Sequence, residues 1–130
     1  MQWLLLALVL VIVLITGLQL FMMLRFKRQE GTAAPSLDGL LPEGISPQPR
    51  MLFYFYSEHC GPCKAVTPLV DELQGRHEGV VKVDVRRNME IARRFGVMGT
   101  PTLIRVEDGR IAKVHVGGIS RSRFEQFYAG

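Results

Sequence analysis

The sequence predicts an α/β fold: a mixed four-stranded sheet with helices on both faces, in the order β-α-β-α-β-β-α, behind an N-terminal transmembrane helix. Three observations lead there. Residues 3–24 carry no charge and are almost wholly apolar. After a Pro- and Gly-rich stretch, short apolar runs alternate with segments whose apolar residues recur at helical spacing. Near the end, Asp108-Gly109 separates two short apolar runs, a strong hairpin signal.

The apolar run is broken only by Thr16, Gly17 and Gln19. As a helix it would measure roughly 30 Å, the thickness of a bilayer's hydrocarbon core. A buried helix of a soluble protein would be shorter or polar on one face. The start, Met1-Gln2, lacks the basic residue of a signal peptide, and Arg25, Lys27 and Arg28 follow the run directly. The expectation is an uncleaved single-pass anchor, residues 1–24, held in membrane lipid by residues 3–24. The basic cluster on its C-terminal side places the remainder on the cytoplasmic face by the positive-inside rule, with a periplasmic or other extracytoplasmic face as the alternative.

Residues 25–50 form a basic juxtamembrane segment and a linker holding Pro35, Pro42, Pro47 and Pro49 among glycines. That composition predicts a partly extended tether with little packing, although Leu37, Leu40, Leu41 and Ile45 could lie against the domain. Residues 51–130 form the folded domain. Residues 51–56 read as a strand buried on both faces. From Cys60 to about Arg76, Val66, Leu69, Val70 and Leu73 recur at helical spacing, with Pro68 inside and Gly75 as a stop. Residues 80–85 read as a second strand. Asn88 can cap a short helix carrying Ile91, Ala92 and Phe95. Residues 102–107 and 111–116 make the hairpin, and a last helix from about Ser120 buries Phe124, Phe127 and Tyr128.

The net charge is +4 and the sequence pI about 9.4. The arginines of the domain are interspersed with acids such as Glu90, Glu107 and Asp108, with no nucleic-acid-binding motif. A solvated surface is expected, not a nucleic-acid partner.

The chain's two cysteines form Cys60-Gly61-Pro62-Cys63, at the junction of a strand and a helix. There the first cysteine meets unpaired backbone N–H groups and the helix dipole, which stabilise a thiolate. The thiolate is the nucleophile in disulfide exchange. Cys63, one turn on, can then attack the mixed disulfide and release reduced substrate. Pro62 suits a helix's first turn, where its missing N–H is not needed. A zinc site would need ligands beyond His59, His77 and His115, which lack ligand spacing, so no metal is expected. So short a loop would constrain the unfolded chain little, which argues against a purely structural disulfide.

His59-Cys-Gly-Pro-Cys-Lys64 resembles the active site of the thioredoxin family, and the resemblance covers about residues 51–130. Pro68 and the Asp71-Glu72 pair fall where the family has a kinking proline and an acidic pair. Gly99-Thr100-Pro101-Thr102 resembles the family's second signature, whose proline is cis and packs against the disulfide. The resemblance implies that Thr100 pairs its backbone with substrate, and that Gly117 lets substrate approach. The extra N-terminal strand and helix of full-length thioredoxins are missing, so the fold expected is the minimal thioredoxin-like one.

This sequence also departs from the family. His59 stands in place of a tryptophan, Tyr56 in place of another, and Tyr54 in place of the buried aspartate that handles the second cysteine's proton. Lys82 matches the lysine that pairs with that aspartate, and is expected to lack its partner. Tyr54 at its ordinary pKa is a poor base. His59 has two readings: an imidazolium that steadies the Cys60 thiolate, or a surface residue filling the tryptophan's place.

The resemblance implies a thiol–disulfide oxidoreductase acting on disulfide-containing proteins. The Gly-Pro spacer resembles that of reducing members, so a reductase is the favoured direction. An unidentified electron donor is implied, and no cofactor beyond the Cys60–Cys63 dithiol. The alternative is a membrane docking or assembly module, redox-inactive or redox-sensing, that reuses the fold for binding.

Overall fold

A computed structural model describes residues 1–130, the side chain of Phe26 excepted. Helix α1 spans Gln2–Lys27. Its residues before Met22 are exposed throughout, and Gln2–Arg25 is long and apolar enough to cross a membrane. Beyond it come β1 (Arg50–Tyr56), α2 (Cys63–Gln74), β2 (Val80–Asp84), α3 (Met89–Arg94), β3 (Thr102–Glu107), β4 (Arg110–Val116) and α4 (Arg121–Ala129).

The four strands form one sheet in the order β2-β1-β3-β4. The crossover through α2 makes β1 and β2 parallel, whereas β3 runs antiparallel to β1 and forms a hairpin with β4. Asp108 and Gly109 both adopt positive φ in the hairpin turn, the conformation that an Asp-Gly pair favours. The mixed sheet and element order expected from the sequence are therefore present.

Central β1 is apolar at every position from Met51 to Phe55 because both its faces are covered. Met51, Phe53 and Phe55 join Ile91, Ala92 and Phe95 of the α3 side in one core. Leu52 and Tyr54 join Val66, Leu69, Val70 and Leu73 of α2, with Phe124 and Phe127 of α4, in the other. Phe95 wedges between Phe53 and Phe55, its ring centroid 4.8 and 5.5 Å from theirs.

Three local expectations change. The apolar spacing has the helix open at Cys60, but α2 begins at Cys63 with Pro62 in the capping position, its φ of −60° already helical. Asn88 precedes α3, yet its side chain makes no capping hydrogen bond. The segment expected to pack little is strapped onto the domain. Gly31 N–H donates to Ile111 O (2.7 Å), Ile111 N–H to Thr32 O (2.9 Å) and Ala34 N–H to Gly109 O (2.8 Å). These bonds satisfy part of the open edge of β4. Leu37, Leu40, Leu41 and Ile45 then pack on the α3-side core. The physical reason is coverage: α3 has only six residues, too few to shield that face of the sheet alone.

Phe95 is only 2% exposed and ties α3 to β1. Truncation to alanine should cost about 3–5 kcal/mol, as for other buried aromatic deletions. Urea unfolding of the Phe95→Ala chain in detergent micelles should show the midpoint fall sharply with an unchanged transition slope.

Candidate active site

Strand register collects the site at one end of the sheet. Tyr56 ends β1 beside Asp84 of β2, and Phe55 pairs with Thr102, which itself pairs with Val116. The loop after β1, the turn before β3 and the turn after β4 therefore emerge together. They carry Cys60, Thr100-Pro101 and Gly117 respectively. The Thr100–Pro101 bond is cis, and Pro101 is fully buried. Gly117, at a φ of 95° that favours glycine, donates its N–H to Pro101 O at 2.9 Å. The Ser57 and Thr100 hydroxyls approach to 3.5 Å, linking the first two loops.

Cys60 and Cys63 are joined in a disulfide, with their Cα atoms 5.3 Å apart. The two sulfurs are not equivalent. Cys63 is 3% exposed, inside the first turn of α2, while Cys60 is half-buried ahead of it. The Cys63 backbone N–H donates to Cys60 Sγ at 3.3 Å. That N–H is one of the unpaired donors at a helix start, so α2 directs a positive dipole end at the outer sulfur. His59, Gly61 and Pro62 are exposed around it, and nothing lies within 4 Å of where a Gly61 Cβ would sit.

Behind the disulfide, Tyr54 is fully buried. Its hydroxyl donates to Cys63 O (3.3 Å) and sits 2.8 Å from the Thr67 hydroxyl, which can donate in turn. Burial pushes the Tyr54 pKa above its ordinary value of 10.0, and the Thr67 hydrogen bond offsets that only in part. Lys82 lies beside Tyr54 in the sheet register, but it is not without a partner: its Nζ bonds Asp71 Oδ1 at 2.7 Å. Asp71 comes from α2, two turns after Cys63, and this pair corrects the sequence-based expectation. Lys82 also lies 5.4 Å from the Tyr56 ring centroid. Sequence reasoning missed Thr67 as well, although Thr67 follows Cys63 by four residues and so shares its helix face.

Residues 42–129 match the family model described as Thioredoxin, about two thirds of the chain. The chain belongs to the thioredoxin family. It is 34% identical over 80 residues to a thioredoxin of Pseudomonas aeruginosa, covering 59% of this chain and 74% of that protein. It is 41% identical over 66 residues to a thioredoxin of Bacillus subtilis, covering 48% of this chain and 64% of that one. Among solved structures it is similar to a mutant thioredoxin from Halobacterium salinarum, at a TM-score of 0.61 and 28% identity over 77% of this chain and 88% of that one. Mitochondrial thioredoxin 3 from Saccharomyces cerevisiae, in oxidised form, gives a TM-score of 0.56 at 28% identity, over 65% of this chain and 81% of that one.

A thioredoxin fold with a disulfide-forming cysteine pair at the start of α2 makes this chain a thiol–disulfide oxidoreductase in the general sense. At the position where the sequence resemblance implied a buried aspartate, a neutral phenol stands hydrogen-bonded to the backbone carbonyl of Cys63. The acid that pairs with Lys82 sits outside, on a half-exposed Asp71.

A phenol with a raised pKa cannot accept a proton near neutrality. Tyr54→Phe should therefore leave the pH dependence of disulfide exchange near neutrality unchanged, while losing about 1 kcal/mol of stability with its hydrogen bonds. Above the free tyrosine's pKa of about 10, the unfolded chain sheds this proton first, so the wild-type chain should lose stability as pH rises further. The phenylalanine variant should lack that component; stability measured from pH 8 to 11 on both chains checks it.

Proposed function

We propose that this chain is a membrane-tethered protein-disulfide reductase that works through Cys60 and Cys63. The observation that carries the reading is their asymmetry: a half-buried Cys60 whose sulfur receives the Cys63 N–H, bonded to a buried Cys63. In the reduced protein, the Cys60 thiolate attacks one sulfur of a substrate disulfide. A mixed disulfide forms, and the other substrate sulfur leaves as a thiolate that takes up a proton. Cys63 loses its proton and attacks Cys60 Sγ. The Cys60–Cys63 disulfide forms, and the second substrate sulfur leaves with the electron pair. The substrate is reduced by two electrons, and a thiol electron donor restores the dithiol. No further cofactor takes part.

Thr100-Pro101 and Gly117 would receive the substrate chain, since they emerge beside the Cys60 loop at one end of the sheet. Pro62 and Gly61 shape that loop, and His59 flanks the attacking sulfur. Tyr54 would hold Cys63 in place through its carbonyl, with Lys82 outside the proton path because Asp71 engages it. Proton removal from Cys63 would then fall to solvent. The thioredoxins of P. aeruginosa and B. subtilis, by their names, support reading the cysteine pair as catalytic.

Tethering rests on α1, whose Gln2–Arg25 stretch suits the hydrocarbon core. The domains on this reading are an anchor at 1–24, a juxtamembrane strap and linker at 25–50, and the catalytic domain at 51–130. Arg25, Lys27 and Arg28 favour a cytoplasmic domain.

With dithiothreitol as donor, the full chain in detergent should reduce a protein disulfide. Cys60→Ser should abolish turnover, and pre-reduced Cys63→Ser, mixed with the disulfide substrate after the dithiothreitol is removed, should accumulate a covalent mixed disulfide visible by mass spectrometry. A folded wild-type chain without turnover would overturn the reductase reading and favour a docking module. For sidedness, a membrane-impermeant maleimide applied to cells whose outer barrier is opened, after reduction, should label the cysteines only once the cells are lysed. Labelling before lysis would place the domain on the other face.

A further inference from the structure

The strap fixes a direction between the span and the redox site. Ala33 forms an antiparallel bridge with Arg110, at the start of β4. Going backward along the chain, Glu30 Oε1 accepts the Val114 N–H at 3.2 Å, and Lys27 and Met23 border the same hollow as Val114, His115 and Val116. The chain thus climbs β4 from its hairpin end to its Val116 end as it approaches the span. Val116 leads into Gly117, which bonds Pro101. Helix α1 therefore leaves the domain at the end of the sheet that carries Cys60, not at the hairpin end.

There is little slack to undo this. Only Arg28, Gln29 and Glu30 separate the end of α1 from the first strap hydrogen bond at Gly31. Even fully extended, such a link reaches only about 10 Å. A second observation agrees. Beside Thr100, a hollow is lined by Arg86, Arg93, Met89 and Met98, and both methionines are more than half exposed. Neither arginine has a carboxylate within ion-pair distance among the described residues. Unpaired arginines among exposed apolar side chains suit an anionic lipid surface.

We infer that the redox end of the sheet faces the bilayer, so that its substrates are disulfides held at the membrane surface, in loops of membrane proteins, and not those of globular proteins diffusing in solution. This rests on the tethering and reductase readings above. A globular partner would have to fit between the Cys60 loop and the headgroups, whereas a loop rising from the bilayer meets Cys60 directly.

The test uses the full chain in anionic phosphatidylglycerol-containing vesicles. On a Cys60→Ser, Cys63→Ser background, a fluorophore is attached through Met98→Cys, at the redox end, or through Glu78→Cys, in the loop at the opposite end. A headgroup-linked quencher should quench the Met98 label severalfold more than the Glu78 label. Equal quenching, or stronger quenching at Glu78, overturns the inference; failure of the chain to float with the vesicles overturns the tethering reading and the inference with it. In parallel, a long Gly/Ser segment is inserted between Arg28 and Gln29 of the catalytic chain. Turnover of a soluble globular disulfide protein should rise severalfold, while that of a small-molecule disulfide stays constant. An unchanged rate on the globular protein overturns the inference; no turnover of the small disulfide by either chain overturns the reductase reading instead, and the quenching comparison still decides the orientation.

Discussion

Everything at the site depends on the burial of β1 between two layers. A strand apolar on both faces can occupy only the middle of this molecule, with β2 on one side and β3 on the other. Once it is there, the chain leaving its C-terminal end must pass over the top of the sheet to reach α2. The cysteines lie on that passage. The same end necessarily receives the turn into β3 and the turn out of β4, because both strands are registered against β1 directly or through one neighbour. The site is thus a consequence of hydrophobic layering, and its precision is that of a packed core.

That burial also restricts what may stand behind the disulfide. Alternation along β1 aims residue 54 into the α2 side, beneath Cys63. A carboxylate there must carry the cost of leaving water; a tyrosine brings bulk and a hydroxyl that finds two partners, and remains neutral. The charged pair, Lys82 and Asp71, lies farther out, where solvent weakens it and its contribution to stability is small. Around the Cys63 sulfur the interior is accordingly held by packing and by the hydrogen bonds of a neutral phenol.

Much of this was legible in the residue pattern. Period and turn chemistry located all four strands and the helices, and the placement of Cys60-Gly61-Pro62-Cys63 at a strand–helix junction located the site. What stayed hidden depended on side chains meeting across elements. Asp71 was visible only as one of two acids on a helix, and nothing local said that Lys82, eleven residues on, would reach it. Thr67 looked like an ordinary helix residue until Tyr54 was placed above it. The linker misled for a different reason. Its prolines and glycines do make it irregular, but irregular chain can still be held, and the leucines at 37, 40 and 41 had a poorly covered face of the sheet to lie on. Composition reports the lack of periodic structure, not the lack of contacts.

The pairing of residues 31–34 with β4 bears on how the domain can be handled in isolation. Without these residues, β4 would present the unsatisfied N–H and C=O of Ile111, with the Gly109 C=O beside them, to any other copy in solution. A soluble fragment cut at the start of the family match, or at the first strand, removes this cover and lengthens the adhesive part of the edge. A fragment begun at Gln29 keeps it. Monodispersity of purified fragments is therefore governed by a few residues that belong to neither the anchor nor the catalytic domain.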